Sequence, residues 1–247
     1  MKEISLYIHI PFCKQRCFYC DFPTFAGKER FREEYIDALI KEIKEKCSDY
    51  LIKTIFIGGG TPSYLEENEL EKLLITVSKL KLSSKLEYSM ECNPGTVNEN
   101  KLKIMKKYGV NRISFGLQSC NDNLLKKIGR IHTLEEFLEN YNLARKVGFD
   151  NINIDLMYGL PNLTIQDWRN TLEKICKLKP EHISAYSLII EEETAFYKLY
   201  EKDKLELPSE DEERIMDKMT KNILKDNGYH QYEISNFGLD GKECEHN

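Results

Sequence analysis

Apolar residues follow two alternating patterns along the chain: short runs rich in β-branched and aromatic residues, and longer stretches with apolar positions three or four residues apart. The first pattern is typical of buried strands and the second of amphipathic helices. Strands are predicted at residues 4–10, 54–57, 86–91, 112–116, 151–156 and 182–188. Helices are predicted at residues 31–47, 66–80, 98–108, 134–147, 165–178 and 209–227.

Six strands separated by helices predict an α/β fold in which βαβ crossovers build a parallel sheet. The spacing fits both a doubly wound sheet and a sheet curled into a partial barrel. In both architectures ligands bind beyond the carboxyl ends of the strands. Glycine and polar residues stand at those ends, in the segments Gly58-Gly-Gly-Thr-Pro62, Glu91-Cys-Asn-Pro-Gly95, Gly116-Leu-Gln118 and Asp155-Leu-Met-Tyr-Gly-Leu-Pro161. We therefore expect the chemistry at this edge of the sheet.

Composition narrows the class of protein. The 247 residues, 41% hydrophobic and 31% charged, are typical of a globular chain with a sizeable core. The net charge of −5 provides no basic field for phosphates, so nucleic acid is not an expected partner. The lysine-rich residues 101–107 are interpreted as a solvated helix face. Without a signal peptide or a long apolar run, we expect a cytoplasmic protein with no integral membrane segment.

Eight cysteines, three of them close together near the N-terminus, indicate metal binding rather than a disulfide framework. The spacing Cys13-x3-Cys17-x2-Cys20 lets one loop present three soft sulfur ligands to an iron–sulfur cluster. Three ligands leave one iron open, and this spacing is similar to that of radical S-adenosylmethionine (SAM) enzymes, which bind the methionine group of SAM there. A zinc site with a fourth ligand from elsewhere, or thiols without metal, are the alternatives.

Four more candidates follow the predicted strands. Glu91 and Asp155 could accept hydrogen bonds from ribose hydroxyls or an ammonium group, and Gln118 and Arg130 could supplement them. Glycines in the segment 58–62 would let backbone N–H groups approach a polar ligand closely. That segment has no following Gly-Lys-Ser/Thr, so a phosphate-binding P-loop is disfavoured.

The ordered motifs together resemble a known family, the oxygen-independent coproporphyrinogen III oxidases of the radical SAM superfamily. They are Tyr7-Ile-His-Ile-Pro-Phe-Cys13 and Gly116-Leu-Gln-Ser119, together with the glycine-rich, Glu91 and Asp155 segments quoted above. The resemblance implies a partial (β/α)6 barrel over residues 1–190. It also implies that residues 191–247 begin a C-terminal α/β domain of HemN/HemW type, and we expect this domain to continue beyond Asn247.

The resemblance also implies roles for individual residues. Cys13, Cys17 and Cys20 would ligate a 4Fe-4S cluster, Tyr7 and Gly59 would lie along SAM, and Glu91 would contact its ribose or amine. A neighbouring pocket, which holds a second SAM in the oxidases, would be lined by Tyr19, Gly60, Thr61, Gln118, Arg130, Asp155 and Ser187.

Two departures favour the heme chaperone (HemW-like) branch of this family. The cysteine motif of the oxidases is similar to C-x3-C-x2-C-x-C, with a fourth cysteine two residues after the third. Here Cys20 is followed by Asp21 and Phe22, and the N-terminal extension of the oxidases is missing. His246 and Asn247 match the start of the heme-associated His-Asn-x-x-Tyr-Trp motif of the chaperones. The branch implies heme as cargo, a recipient hemoprotein, and an electron donor such as flavodoxin or ferredoxin. The alternative is oxidative decarboxylation of coproporphyrinogen III to protoporphyrinogen IX.

Overall fold

A computed structural model describes residues 2–246, so Asn247 of the predicted heme motif lies outside the described residues. The strands are β1 Glu3–Ile10, β2 Phe12–Cys13, β3 Phe25–Ala26, β4 Leu51–Gly59, β5 Leu82–Cys92, β6 Arg112–Gln118, β7 Ile152–Tyr158, β8 His182–Ser187, β9 His230–Gln231 and β10 Asn236–Gly238. The helices are α1 Arg32–Cys47, α2 Glu67–Val77, α3 Glu99–Lys107, α4 Asp122–Lys127, α5 Leu134–Val147, α6 Ile165–Leu178, α7 Ala195–Tyr200 and α8 Glu210–Asp226.

The strands of the main sheet lie side by side in the order β1-β4-β5-β6-β7-β8-β10-β9. The first six strands, β1 to β8 in this order, pair with one another in parallel. β10 then pairs antiparallel with β8, and β9 pairs antiparallel with β10. Because the parallel strands follow chain order, the order never reverses as it does in a doubly wound sheet. The α/β prediction is confirmed, and the partial barrel is the correct one of the two architectures.

The two faces of the barrel strands differ sharply in polarity. Side chains at alternate positions point to opposite faces, and one set is apolar and buried in the main core: Ile55, Ile57, Tyr88, Met90, Ile113, Phe115, Ile152, Ile154 and Ile183. The other set lines a cavity: Phe56, Glu91, Arg112, Ser114, Asn153, Asp155 and Ser184. The inner face is therefore a ligand cavity with a mostly polar wall.

The helix starts follow local capping chemistry. Thr133, Thr164 and Ser209 each form a capping box with an acidic residue three positions later. Predicted helix bounds are close to the observed ones, although the helix predicted at 66–80 ends at Val77. The two-residue strands and the short helices α4 and α7 were not predicted, because elements of this length carry too few residues to show a period.

Two further observations concern the whole chain. No helix within residues 2–246 combines the length and apolarity that crossing a bilayer requires. The predicted division at residue 190 stays a prediction, although β9 and β10 extend the same sheet as the barrel strands.

Candidate functional site

A cavity of about 480 Å³ opens at the carboxyl ends of the barrel strands. It brings together all of the candidate residues except Tyr7 and His246: Cys13, Cys17, Tyr19, Cys20, Gly59, Gly60, Thr61, Glu91, Gln118, Arg130, Asp155 and Ser187. These residues come from six parallel strands and the loops that follow them. The sequence therefore placed 12 of its 14 candidate residues on the wall of one cavity, and their roles there stay predictions.

The cysteine loop is held in a defined shape by hydrogen bonds. The Phe18 N–H donates to Ile128 O at 3.0 Å, and the Cys20 N–H donates to Cys17 O at 3.2 Å. The Arg16 guanidinium donates twice to Cys20 O, at 3.1 and 2.9 Å. All three cysteines are free thiols that face the cavity. The loop thus presents three soft ligands on one wall.

The glycine-rich loop packs directly against Cys13. The Gly60 N–H donates to Ile10 O at 2.8 Å, and the Thr61 N–H donates to Phe12 O at 2.9 Å. A Cβ on Gly60 would lie 2.9 Å from both of those carbonyl oxygens and 3.0 Å from Cys13 Sγ. The absence of a side chain at Gly60 therefore allows the cysteine to sit where it does.

The surroundings of the thiols suit a thiolate-bound cluster. Arg130 Nη1 lies 3.5 Å from Cys17 Sγ, and the Thr61 hydroxyl donates to Cys13 Sγ at 3.5 Å. Arg130 is fixed in turn by hydrogen bonds to Asn93 Oδ1 and Gly116 O. Positive charge and hydrogen-bond donors stabilise sulfur in its ionised, ligating form. The donor set and its neighbours thus fit an iron–sulfur cluster.

Within the described part of the chain, no group of three or more His, Cys, Asp and Glu side chains is arranged to hold a single metal ion. Burial raises the pKa of the Cys13 and Cys20 thiols, and the neighbouring Cys17 adds to both shifts. The three sulfurs are therefore close enough to interact electrostatically.

Glu91 joins the glycine-rich loop to the cavity wall. Its Oε2 accepts a hydrogen bond from the Gly59 N–H at 3.1 Å. Burial, with a contribution from the nearby Asp155 charge, raises the pKa of Glu91 to about 8. Gly59 has φ of 112°, and a Cβ there would lie 2.5 Å from the His9 ring, so only glycine fits this contact. Glu91 is held ready to accept hydrogen bonds from a polar ligand.

The raised pKa of Glu91 makes stability depend on pH. The unfolded chain ionises this carboxyl above 4.5, whereas the folded chain keeps it protonated up to about pH 8. The stability from this group is therefore fully present below pH 4.5 and is lost as pH rises through about 8. Glu91→Gln stays neutral throughout, so we expect it to raise the free energy of unfolding by about 4 kcal/mol at pH 8.

Urea unfolding of the ligand-free chain at two pH values measures this difference. The gain should shrink to about 0.4 kcal/mol at pH 4.5, where the wild-type carboxyl is protonated in the folded chain and half protonated in the unfolded chain. The exposed mid-helix substitution Glu139→Gln serves as the control and should change stability equally at both pH values. An equal gain for Glu91→Gln at both pH values would mean that Glu91 is ionised in the folded chain.

Asp155 lies at the centre of a hydrogen-bonded network on the inner face. Its carboxylate accepts from Ser114 Oγ at 2.9 Å and from Asn153 Nδ2 at 2.7 Å. Burial raises the pKa of Asp155, and these hydrogen bonds oppose the shift. Nearby, Gln118 ends β6 with φ of 72°, a left-handed conformation that is uncommon outside glycine. Gln118 therefore ends the strand in a left-handed conformation, and its side chain lines the cavity.

Tyr7 and His246 both pack near the ring of Phe56, which itself lines the cavity. The Tyr7 and His246 rings are 6.2 and 5.4 Å from the Phe56 ring. His246 Nδ1 is 2.8 Å from Thr54 Oγ1, and the His246 N–H donates to Glu87 Oε1 at 3.2 Å. His246 is therefore half-buried and anchored beside the cavity, and its role toward heme stays a prediction.

Sequence reasoning missed several residues of this site. Arg112, Asn153 and Tyr186 line the cavity because strand alternation turns them inward. The alternation of side chains along each strand is visible in the sequence. It points to these residues only once the inner face of the barrel is known to be polar. The interpretation of residues 101–107 as a solvated face is wrong for Lys101. Its Nζ is buried and donates to Ser63 O at 2.9 Å and Thr96 O at 3.1 Å, which ties together the loops after β4 and β5.

Comparisons with known proteins agree with this geometry. The sequence model of the Radical SAM superfamily matches residues 7–175. The heme chaperone HemW of Bacillus subtilis is 44% identical over 98% of this chain and 65% of its own length. HemW of Lactococcus lactis is 42% identical over 100% of this chain and 65% of its own length. The chain thus spans 65% of the length of these two relatives.

Among solved structures, the chain is similar to the coproporphyrinogen III oxidase HemN of Escherichia coli, described as a radical SAM enzyme. The two superpose with a TM-score of 0.87 at 27% identity, covering 98% of this chain and 56% of HemN. The sequence and structure comparisons therefore both indicate a radical SAM barrel. The two relatives that were found by sequence similarity are heme chaperones.

Proposed function

Because this chain belongs to the radical SAM superfamily, we propose that it acts as a heme chaperone that holds a 4Fe-4S cluster and SAM. The observation that carries the proposal is the cavity wall itself. Three free thiols, a buried arginine and a tight glycine loop meet there, in a chain 44% identical to a heme chaperone. Heme would be its cargo and a hemoprotein its recipient.

Cys13, Cys17 and Cys20 would hold the cluster, and Tyr7, Gly59 and Glu91 would hold SAM. When bound, the cluster supplies electron transfer and one open iron for the amino and carboxylate groups of SAM. The neighbouring pocket residues would orient a second ligand: Tyr19, Gly60, Thr61, Gln118, Arg130, Asp155 and Ser187. A flavodoxin or ferredoxin would supply electrons.

Apolar side chains at the cavity mouth support heme as the cargo. Phe22 occupies the position of the fourth cysteine in the motif that the oxidases resemble. Its side chain lines the cavity and is 56% exposed. Ile189 and Tyr186 also line the cavity and are 67% and 40% exposed. Exposed apolar groups around a cavity are typical of a site for a flat, apolar ligand.

A titration of the anaerobically reconstituted chain with heme tests the proposal. We expect saturable binding of heme with a shifted Soret band, and no decarboxylation of coproporphyrinogen III. Phe22→Ser should weaken heme binding about tenfold, because it removes most of an aromatic contact at the mouth. Phe31→Ser, at an exposed phenylalanine that does not line the cavity, is the control and should leave heme binding unchanged.

The oxidase is the second candidate, and the TM-score of 0.87 to HemN favours it. In that case the same cavity would take coproporphyrinogen III. Decarboxylation by the reduced chain together with SAM, without heme binding, would overturn the chaperone proposal.

A further inference from the structure

Arg112 is a buried arginine of the cavity wall that forms no direct ion pair among the described residues. It opens β6 and is only 2% exposed, yet its side chain lines the cavity. Its Nη1 makes a long hydrogen bond of 3.4 Å to Ser89 Oγ, and its Nε is buried without a partner. A buried guanidinium normally has its N–H groups satisfied, because leaving them unpaired is costly.

Two other largely buried arginines form ion pairs, whereas Arg130 donates to the neutral acceptors Asn93 Oδ1 and Gly116 O. Arg145 forms an ion pair with Glu181 at 2.8 Å, and Arg32 forms one with Glu66 at 2.8 Å. Two acidic groups of the inner face already accept hydrogen bonds from other donors. Asp155 accepts from Ser114 and Asn153, and Glu87 accepts from the Glu245 and His246 N–H groups at 3.1 and 3.2 Å.

We propose that Arg112 binds a carboxylate of the ligand that occupies the cavity, and that this carboxylate is a propionate of the tetrapyrrole. The guanidinium fork matches a carboxylate in charge and shape. This inference rests on the proposed function, because it assigns the cargo's acidic side chains to the same cavity.

The placement of Arg112 favours a propionate over the carboxylate of SAM. Arg112 starts the seven-residue strand β6. The cysteine loop and Gly60 lie beyond the carboxyl ends of the strands, and the length of β6 alone is about 20 Å. The exposed apolar side chains, Phe22 and Ile189, are at the mouth. A tetrapyrrole has an apolar ring and acidic side chains on one edge, so the ring fits the mouth and the propionates fit the polar interior.

The test compares hemin with hemin dimethyl ester, which lacks free propionates, on the reconstituted chain and its variants. Arg112→Met should weaken hemin binding about tenfold to a hundredfold and leave ester binding unchanged. SAM binding, measured separately, should not change. Arg112→Lys keeps the charge without the fork and should lose less. Arg145→Met is the control, since it removes an arginine that is already paired outside the cavity.

Each outcome decides the proposal. Wild-type binding of hemin with equal binding by Arg112→Met would overturn the role of Arg112 and leave the chaperone proposal standing. An equal loss for hemin and its ester, or a loss confined to SAM, would overturn the propionate assignment. No hemin binding by the wild type would overturn the proposed function and this inference together. Should Arg112→Met fail to unfold cooperatively, Arg112→Lys provides the same comparison.

Discussion

Replacing Cys13, Cys17 or Cys20 by alanine is expected to remove the iron–sulfur cluster from the chain. Each sulfur supplies one of only three protein ligands, so a single loss leaves two irons without a protein partner. We expect iron and sulfide after anaerobic reconstitution to fall from about four each per chain to about a tenth of that. Iron and acid-labile sulfide assays, with the absorbance near 400 nm, measure the change.

Cys120→Ala is the matched control for this series. Cys120 is a free, half-buried thiol that does not line the cavity. Its substitution should leave iron and sulfide at the wild-type value. Full cluster content in any of the three single variants would contradict the assignment of that cysteine as a ligand.

Gly60→Ala is expected to have the next largest effect. Its Cβ would lie 2.9 Å from Ile10 O and Phe12 O and 3.0 Å from Cys13 Sγ, so either the glycine loop or the cysteine must move. Overpacking of this kind typically costs about 1–3 kcal/mol in the free energy of unfolding. Because Cys13 is displaced, the reconstituted cluster should also be lost to a chelator about ten times faster.

Gly148→Ala is the control that separates lost folding stability from faster loss of the cluster. Gly148 ends α5 with φ of 101°, and a Cβ there meets nothing within 4 Å. The left-handed conformation should cost alanine about 1–2 kcal/mol without touching the cavity. Equal rates of cluster loss in Gly148→Ala and Gly60→Ala would show that general destabilisation, and not the position of Cys13, controls the cluster.

Most of the fold could be predicted from the sequence because its signals are local. The run 54–57 is apolar and β-branched, and residues 151–156 alternate apolar with polar side chains, so both patterns favour strands. Capping residues such as Ser209 fix where helices start. Strand curvature is not local. The choice between a doubly wound sheet and a barrel depends on strand order, which spacing alone does not contain.

The candidate site was predictable where a residue's chemistry is tied to its position at a strand end. The three cysteines, Glu91 and Asp155 belong to this group. Arg112 could not be found in this way, because it starts its strand and faces the cavity only through alternation along β6. Lys101 was misassigned because helix periodicity predicts which side faces the core, but not which loop carbonyls lie beside a lysine.

The C-terminal segment shows the limit most clearly. Cys244 and His246 reach the inner face through Glu87, more than 150 positions earlier in the chain. Such a contact depends on how the curved sheet brings distant segments together, and it leaves no pattern in the local sequence. His246 was selected by resemblance alone, and the structure adds its place beside Phe56 and Thr54.

Metal and sulfide analysis of the anaerobically purified wild-type chain tests the central claim most directly. The three-thiolate site predicts about four iron and four sulfide per chain, with a brown colour that is lost in the cysteine variants. Zinc bound without sulfide would contradict the cluster, and with it the assignment of SAM to this cavity.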